Sequence, residues 1–456
     1  MAVDTAFGPN LIENTLPFLS YDFLAKSYRQ RAEELSKDID GILPEWARNG
    51  ADQLFKKKKF VVCGTSCWPE IKMLAKNADI LAIVDDTRPG TRLFGIPVVD
   101  TDSWIRFARR NSDLVSCVLV PSCAGFQHFV RQCIQWELPF LDPFQYLHLL
   151  KLHHVDMTGV AGRLTLYGYE FSLYAVKHYE KLLKLAERLD DEYSRISWLC
   201  ILLYRITWNP FYLAACSVGY HSNKYSLNSY SVNRQFFKFS DDEVYIDTGA
   251  YTGDTIEYFL RAVKGKFKHL YSFEPSADNN RQIRARLNAL QSEFVDSLAG
   301  KITLYEKGVW NCEDVLRFNP CTADIFDVEA TVSSTGFIPN TGTAHIVGAG
   351  LFEHMYDRKV EDQLSIKMPV TTIDKATNQD ATFIKFEIEG SELMALQGAA
   401  KTLERNRRKL ALSIYHKPDD FVTLFEHVLN LDLGYKFGFR QHHALIPDNM
   451  VLYCYR

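Results

Sequence analysis

Several features that assign a function at a glance are missing from this chain, and each absence removes a class. Ten cysteines are spread over 456 residues and none forms a Cys-x-x-Cys pair, which argues against a zinc ribbon or a dithiol redox motif. Cys63 and Cys67 lie at the end of one strand-like run with no second ligand pair at zinc-like spacing, so no metal site and free cytoplasmic thiols are expected. A leader with a basic region and an apolar core is not seen at the N-terminus. The most apolar run, Trp198 to Tyr204, is too short to span a bilayer and leads into Arg205, Asn209 and Pro210. The net charge of −4 lacks the basic surplus that marks nucleic-acid binding. A basic run, Lys56 to Lys59, leads straight into a strand and reads as solvated. The expectation is a cytoplasmic protein with no membrane span and no nucleic-acid partner, its oligomeric state open and a homodimer among the options.

What is present is an ordinary globular composition, 47% hydrophobic and 24% charged, in a chain long enough for two or three domains. Residues 1–55 read as a helical segment, with charged and apolar positions mixed over Asp22 to Ile42 and a short helix beginning at Pro44. Residues 56–155 alternate strands with helices, which implies a parallel sheet. The strands are expected at Phe60–Cys63, Ile80–Asp86, around Gly95–Val99 and at Val115–Val120. Helices are expected at Glu70–Lys76, Trp104–Arg110 and Phe126–Trp136. This unit has one glycine, Gly64, where a dinucleotide fingerprint has three, and Asp85 and Asp86 stand where a ribose-binding acid would sit. It resembles the small Rossmann-like domains of some sugar acyltransferases and nucleotide-sugar enzymes. Residues 156–235 read as a mostly helical connector. His153 and His154 are adjacent and point apart on a helix or strand, so they make a poor metal pair without help.

The chain is organised around Val244-Tyr-Ile-Asp-Thr-Gly-Ala-Tyr-Thr-Gly-Asp254. Val244 and Ile246 alternate as a strand requires, two glycines allow a tight turn, and Asp254 followed by Glu257 suggests a capping box opening a helix. Strand, glycine turn and helix start together make a nucleotide-sized site. The pattern then continues with strands ending at Glu274, running over Ile302–Trp310 and Thr382–Gly390, and over Lys409–His416. A helix is expected over Ser391–Asn406 and another capped by Asp419. Two final strands, Tyr435–Arg440 and Met450–Tyr455, have no helix between them and must pair as an antiparallel hairpin.

With these motifs in hand, residues from about 240 to 456 resemble the FkbM family of methyltransferases. The matching segments are the Tyr245–Asp254 stretch, Ser-Phe-Glu-Pro at 272–275, Thr-Thr-Ile-Asp at 371–374, Ile-Lys-Phe-Glu-Ile-Glu-Gly-Ser-Glu at 384–392, Gln-Gly-Ala, and Ser-Ile-Tyr-His at 413–416. The family has Asp where this chain has Glu387. Together with the first α/β unit, this gives the expectation of an α/β protein with two Rossmann-like three-layer units, the C-terminal one (236–456) a class I methyltransferase fold with a closing antiparallel hairpin. The resemblance implies S-adenosylmethionine as cofactor and a hydroxyl on a glycan, sugar nucleotide or secondary metabolite as acceptor.

Position then suggests roles. Asp247, Gly249, Ala250 and Gly253 form the expected cofactor turn, with backbone amides from Ala250 to Gly253 meeting the methionine end. Glu274 is expected to accept both ribose hydroxyls, and Trp310 to stack on the adenine or, equally, to sit in the core. Glu387 and His416 are the expected catalytic pair, with Glu389 as a helper. Glu387, Glu389 and Lys385 share one strand face by alternation, so a structural ion pair is the competing reading. His442 and His443 are weaker candidates. Residues 320–368 are an insertion expected to wall the acceptor. A nicotinamide oxidoreductase using the first α/β unit, and a non-catalytic binding protein, stay open as alternatives.

Overall fold

A strand rejoins its sheet in the same direction only through a crossover, so strand–helix alternation dictates parallel pairing. The computed structural model describes residues 20–42, 59–65, 78–118, 123–141, 169–218 except 208, 230–319 except 295–297, 345–346, 366–442 except 407–408, and 449–456, with single residues at 71, 75 and 447. The expected Pro44 helix, most of the Glu70–Lys76 helix, His153, His154, His443 and most of the 320–368 insertion lie outside the described residues.

Helix α1 (Tyr21–Leu35) starts where the Ser20 hydroxyl accepts from the Phe23 amide. Leu24, Tyr28, Ala32 and Leu35 form its buried stripe at helical spacing. It ends before the expected Ile42, and Ile39–Ile42 is a 3₁₀ turn. The first sheet is built from β1 (Lys59–Cys63), β2 (Asp79–Val84), β3 (Arg92–Leu93), β4 (Ile96–Val99), β5 (Leu114–Val118) and β6 (Phe140–Leu141). Helices α2 (Thr101–Ala108) and α3 (Cys123–Gln135) alternate with its later strands. Its order is β3-β4-β2-β1-β5-β6, parallel throughout except for the β3–β4 pair.

Helices α4 (Tyr169–Lys177), α5 (Tyr179–Ala186), α6 (Glu192–Thr207) and α7 (Pro210–Cys216) follow. From Ile196 to Ile206 every residue of α6 is buried, as a helix apolar on all sides must be. The Trp198 ring lies 4.4 Å from Phe421 and 5.3 Å from Phe439, and its indole N–H donates to the Leu182 carbonyl. The helical segment is thereby part of the same core as the C-terminal sheet.

The C-terminal part runs β7 (Val244–Thr248), α8 (Asp254–Ala262), β8 (His269–Phe273), α9 (Ala277–Gln291), β9 (Ile302–Tyr305), β10 (Gly308–Val309), β11 (Asp314–Asn319), β12 (His345–Ile346) and β13 (Ile366–Thr371). It continues with α10 (Ile373–Ala376), β14 (Phe383–Phe386), α11 (Glu392–Gln397), α12 (Ala400–Asn406), β15 (Lys409–Ser413), α13 (Asp420–Asn430), β16 (Lys436–Gln441) and β17 (Met450–Tyr455). Seven of these strands form a sheet in the order β16-β17-β15-β14-β7-β8-β9. Its strands are parallel except for β17, which pairs antiparallel with both β15 and β16. Tyr245 and Phe383 are direct cross-strand neighbours and their rings stack at 4.7 Å, a contact that adds about 0.5–1.5 kcal/mol to the area they bury.

Three expected elements differ. The run Ile302–Trp310 is not one strand: it breaks at Glu306–Lys307, and β10 leaves for a second sheet in the order β10-β13-β11-β12. The helix over Ser391–Asn406 is interrupted at Gly398, where the chain passes so close to the Trp310 carbonyl that a Cβ would stand 2.1 Å from its oxygen. The capping box at Asp254 and Glu257 does not form. Gly253 is the N-cap, in a left-handed conformation at φ 81°, and Glu257 instead pairs with Arg261 and Arg286. Asp419 likewise caps α13 without a side-chain bond. Among the described residues no helix is long and apolar enough to cross a membrane.

Candidate active site

In parallel register, Thr248, Phe273 and Phe386 close three neighbouring strands at one edge. The residues that follow them, Gly249, Glu274 and Glu387, emerge side by side. This is where the connections diverge, β8 and β9 to one side of β7 and β14 and β15 to the other, the place where open α/β sheets leave a crevice. A cavity of about 370 Å³ opens there, lined by Gly249, Tyr251, Glu274, Glu387, Glu389 and Tyr415 among others.

Behind the cavity wall sits a buried ion pair. Lys385 is 2% exposed and Asp247 is fully buried. The Lys385 ammonium donates to Asp247 Oδ1 at 3.1 Å and to the carbonyls of Thr248 and Gly249 at 3.3 and 2.8 Å. Thr255 donates to the other Asp247 oxygen. Burial works to lower the Lys385 pKa, but Asp247, Glu387 and Asp254 outweigh it and raise the value above the usual lysine range. Asp247 therefore holds the turn from behind and does not line the cavity.

The turn itself spends its amides inside the chain. Gly249 and Ala250 both donate to the Phe273 carbonyl, Gly253 donates to Ala250, and Tyr251 donates to Glu274 Oε2. Of the expected amide cradle at Ala250–Gly253, the Ala250 and Tyr251 amides thus face β8 and its end, and the Gly253 amide closes the turn; Tyr251 adopts φ 49°. Gly253 faces Ile283 and Arg286 of α9. Gly249 is the closely packed glycine. At φ 73°, a Cβ there would stand 2.0 Å from the Glu387 carbonyl oxygen.

Glu274 is 5% exposed and already accepts from the amides of Ser276 and Tyr251 and from the Asn279 side chain. A carboxylate offers about four lone-pair sites, so Glu274 retains capacity for one further donor rather than the two that the expected pair of ribose hydroxyls would need. Burial raises its pKa to about 7 against the lowering pull of these donors.

Glu387 accepts from the Tyr415 hydroxyl at 2.8 Å through Oε1. Its Oε2 is buried without a hydrogen-bond partner, 3.7 Å from the Lys385 ammonium. Glu389 does not share that arrangement. The strand ends at Phe386, and Glu389 turns through φ 53° to stand 3.7 Å from His416 Nε2.

His416 lies three residues past β15 and is 1% exposed, outside the cavity lining. Burial opposes its protonation, but Glu392 and then Glu389 prevail and lift its pKa to about 10. His416, expected as a catalytic residue, thus stands behind the cavity rather than in its wall. Trp310 also lies outside the lining and packs on the Phe318, Ile346, Met368 and Val370 cluster. His442 contacts the Tyr453 hydroxyl at 2.8 Å.

Tyr415 and Asn279 were missed from the sequence. Alternation past β15 puts residues 415 and 416 on opposite sides, and that parity was the available signal for Tyr415. In the first sheet, Asp85 is already held by Thr65 and Thr87, and Asp86 by Thr101.

Comparison with known proteins agrees with this geometry. No curated protein matches the sequence. A crystal structure of methyltransferase FkbM from Methylobacillus flagellatus KT shares the fold at a TM-score of 0.68 and 23% identity, covering 95% of this chain and 99% of that one. An rRNA methylase from Streptococcus thermophilus overlaps at a TM-score of 0.26 and 12% identity, covering 48% of this chain and 89% of that one, too little to carry an argument. The family model for the methyltransferase FkbM domain matches residues 247–440, the span that carries the Gly249 turn, Glu274, Glu387 and Tyr415. Those residues form a methyltransferase domain of the FkbM family.

Proposed function

We propose that this chain is an S-adenosylmethionine-dependent methyltransferase acting on a hydroxyl of a glycan, sugar nucleotide or secondary metabolite. The observation that carries the reading is one cavity lined by both Glu274 and Glu387 around the tight Gly249 turn. In this reading the seven-stranded sheet is a class I methyltransferase fold closed by the β16–β17 hairpin, within residues 236–456. The first sheet is a second Rossmann-like unit within 56–155, with residues 1–55 as a helical lead and 156–235 as a helical connector.

The residues present fit such a cofactor. Glu274 has one acceptor site left for a ribose hydroxyl, and Gly308, Val309, Phe318, Ile346 and Met368 give the same cavity an apolar face suited to a base. Bound S-adenosylmethionine supplies a sulfonium methyl group. The Glu387 carboxylate takes the proton of the acceptor hydroxyl, a task for an acid that lines the cavity. Tyr415 fixes the Glu387 rotamer through Oε1, and the Lys385 ammonium stands 3.7 Å from Oε2. Glu389 stays on the cavity wall as a contact for the acceptor.

Isothermal calorimetry with S-adenosylmethionine tests the reading. Micromolar-class binding weakened at least ~10-fold in Glu274→Ala supports it, and no binding to the wild-type chain refutes it. Binding without methylation of any member of a broad hydroxyl panel identifies a binding protein instead.

A further inference from the structure

Beneath the cavity floor, three buried ionisable side chains converge. Glu392 opens α11, Asp420 opens α13, and His416 lies between β15 and α13. Glu392 and Asp420 are fully buried and His416 is 1% exposed. One donor atom from each lies within 4.8 Å of the other two. Among the described residues, Glu392 Oε2, Asp420 Oδ1 and both ring nitrogens of His416 have no hydrogen-bond partner of regular geometry. His416 Nδ1 stands 2.9 Å from Glu392 Oε1 and Nε2 stands 3.7 Å from Glu389 Oε2, ion pairs that a metal ion would replace at one ring nitrogen as it displaces the imidazole proton.

Part of this cluster has an ordinary explanation. An acid in the first turn of a helix complements the helix dipole, and Glu392 Oε1 and Asp420 Oδ2 accept the amides of Ile388 and Lys417. That accounts for one oxygen of each acid. It does not account for the free oxygens facing a histidine in a place without water access, where each orphaned polar atom carries a desolvation cost. The Arg205 guanidinium contributes charge nearby but donates to neither oxygen.

We infer that Glu392, His416 and Asp420 bind a divalent transition-metal ion. Two carboxylates and one imidazole are the donor set that Zn²⁺, Mn²⁺, Fe²⁺ and Co²⁺ accept. An ion at about 2.0–2.2 Å from each donor satisfies all three side chains after a small inward shift. The site is closed and lies outside the cavity lining, so the ion is structural. It ties the starts of α11 and α13 to the end of β15, and through Glu392 and the Ile388 amide it holds the segment that carries Glu387 and Glu389.

The test uses the untagged full-length chain, independently of any cofactor. Elemental analysis after desalting should find about one equivalent of divalent metal per chain. Dialysis against a chelator should lower the melting temperature by several degrees, and added Zn²⁺ or Mn²⁺ should restore it. Co²⁺ loaded into the chelated chain should give visible d–d bands that Asp420→Asn abolishes with the far-ultraviolet circular dichroism unchanged. Because the wild-type measurements need no variant to fold, they decide the matter alone. Metal below ~0.1 equivalent, with no uptake of Zn²⁺, Mn²⁺ or Co²⁺ and an unmoved melting temperature, overturns the site. Metal retained in full by both folded Asp420→Asn and folded His416→Gln overturns it as well, since the ion then sits elsewhere.

Discussion

Replacing Gly249 with alanine probes the contact on which the cavity is built. Gly249 and Gly300 have nearly the same backbone angle, φ 73° and 70°. A Cβ at Gly300 meets nothing within 4 Å, whereas at Gly249 it stands 2.0 Å from the Glu387 carbonyl oxygen and 3.0 Å from Ile388 Cγ2. Both substitutions place an L-residue in the left-handed region, at a cost of about 1–2 kcal/mol. Only Gly249→Ala adds overpacking of about 1–3 kcal/mol, for a total of about 2–5 kcal/mol. The oxygen cannot yield like a flexible side-chain tip, because it belongs to the backbone of the Glu387 segment. Relieving the overlap moves that segment by more than an ångström, a displacement that can cost about 100-fold in rate at a reacting centre. Urea unfolding followed by tryptophan fluorescence, together with calorimetry using S-adenosylhomocysteine, measures both effects. A Gly249→Ala chain within about 0.5 kcal/mol of Gly300→Ala, with wild-type affinity, would refute the close approach.

Further expectations concern the charged groups. Burial lifts the Glu274 carboxyl from 4.5 to about 7, so cofactor affinity should rise as pH increases through that value. By linkage the unliganded fold should lose stability between pH 4.5 and about 7, where the unfolded chain is already ionised and the folded one is not. Glu274→Gln should flatten both profiles in calorimetry and thermal melts. Lys385→Met leaves Asp247 buried and uncompensated, and should destabilise the chain by about 3–5 kcal/mol in urea titrations; adding Asp247→Asn should recover part of that loss. Glu387→Gln should leave cofactor affinity nearly unchanged while lowering methyl transfer by about 100–10,000-fold, read with a radiolabelled methyl group.

Much of the fold was legible because it rests on short-range rules. Alternating apolar positions gave the strands β7, β8 and β15, and the missing helix before Met450 gave an antiparallel final pair. The site was legible only in part. Glu274 and Glu387 line the cavity as expected of residues that directly follow strands, where direction is fixed by the pleat. Glu389 does not share the face of Glu387 because alternation stops with β14, before a turn where Glu389 reverses its backbone, and the strand expected to end at His416 stops at Ser413. The amide cradle failed for a long-range reason. Whether a turn's N–H groups face a ligand or the neighbouring strand depends on the partner strand, and nothing local to Ala250–Gly253 encodes Phe273. Asp420 was invisible as a neighbour of Glu392 because their proximity arises from the packing of α11 against α13.

The central claim is that one cavity joins the β8 and β14 ends into a methyl-transfer site. A crystal structure with S-adenosylhomocysteine tests it most directly. The account predicts the ribose on Glu274, the base against Val309, Phe318 and Met368, and the sulfur directed toward Glu387. Ligand bound at the first sheet, or bound here with its sulfur turned away from Glu387, would contradict it.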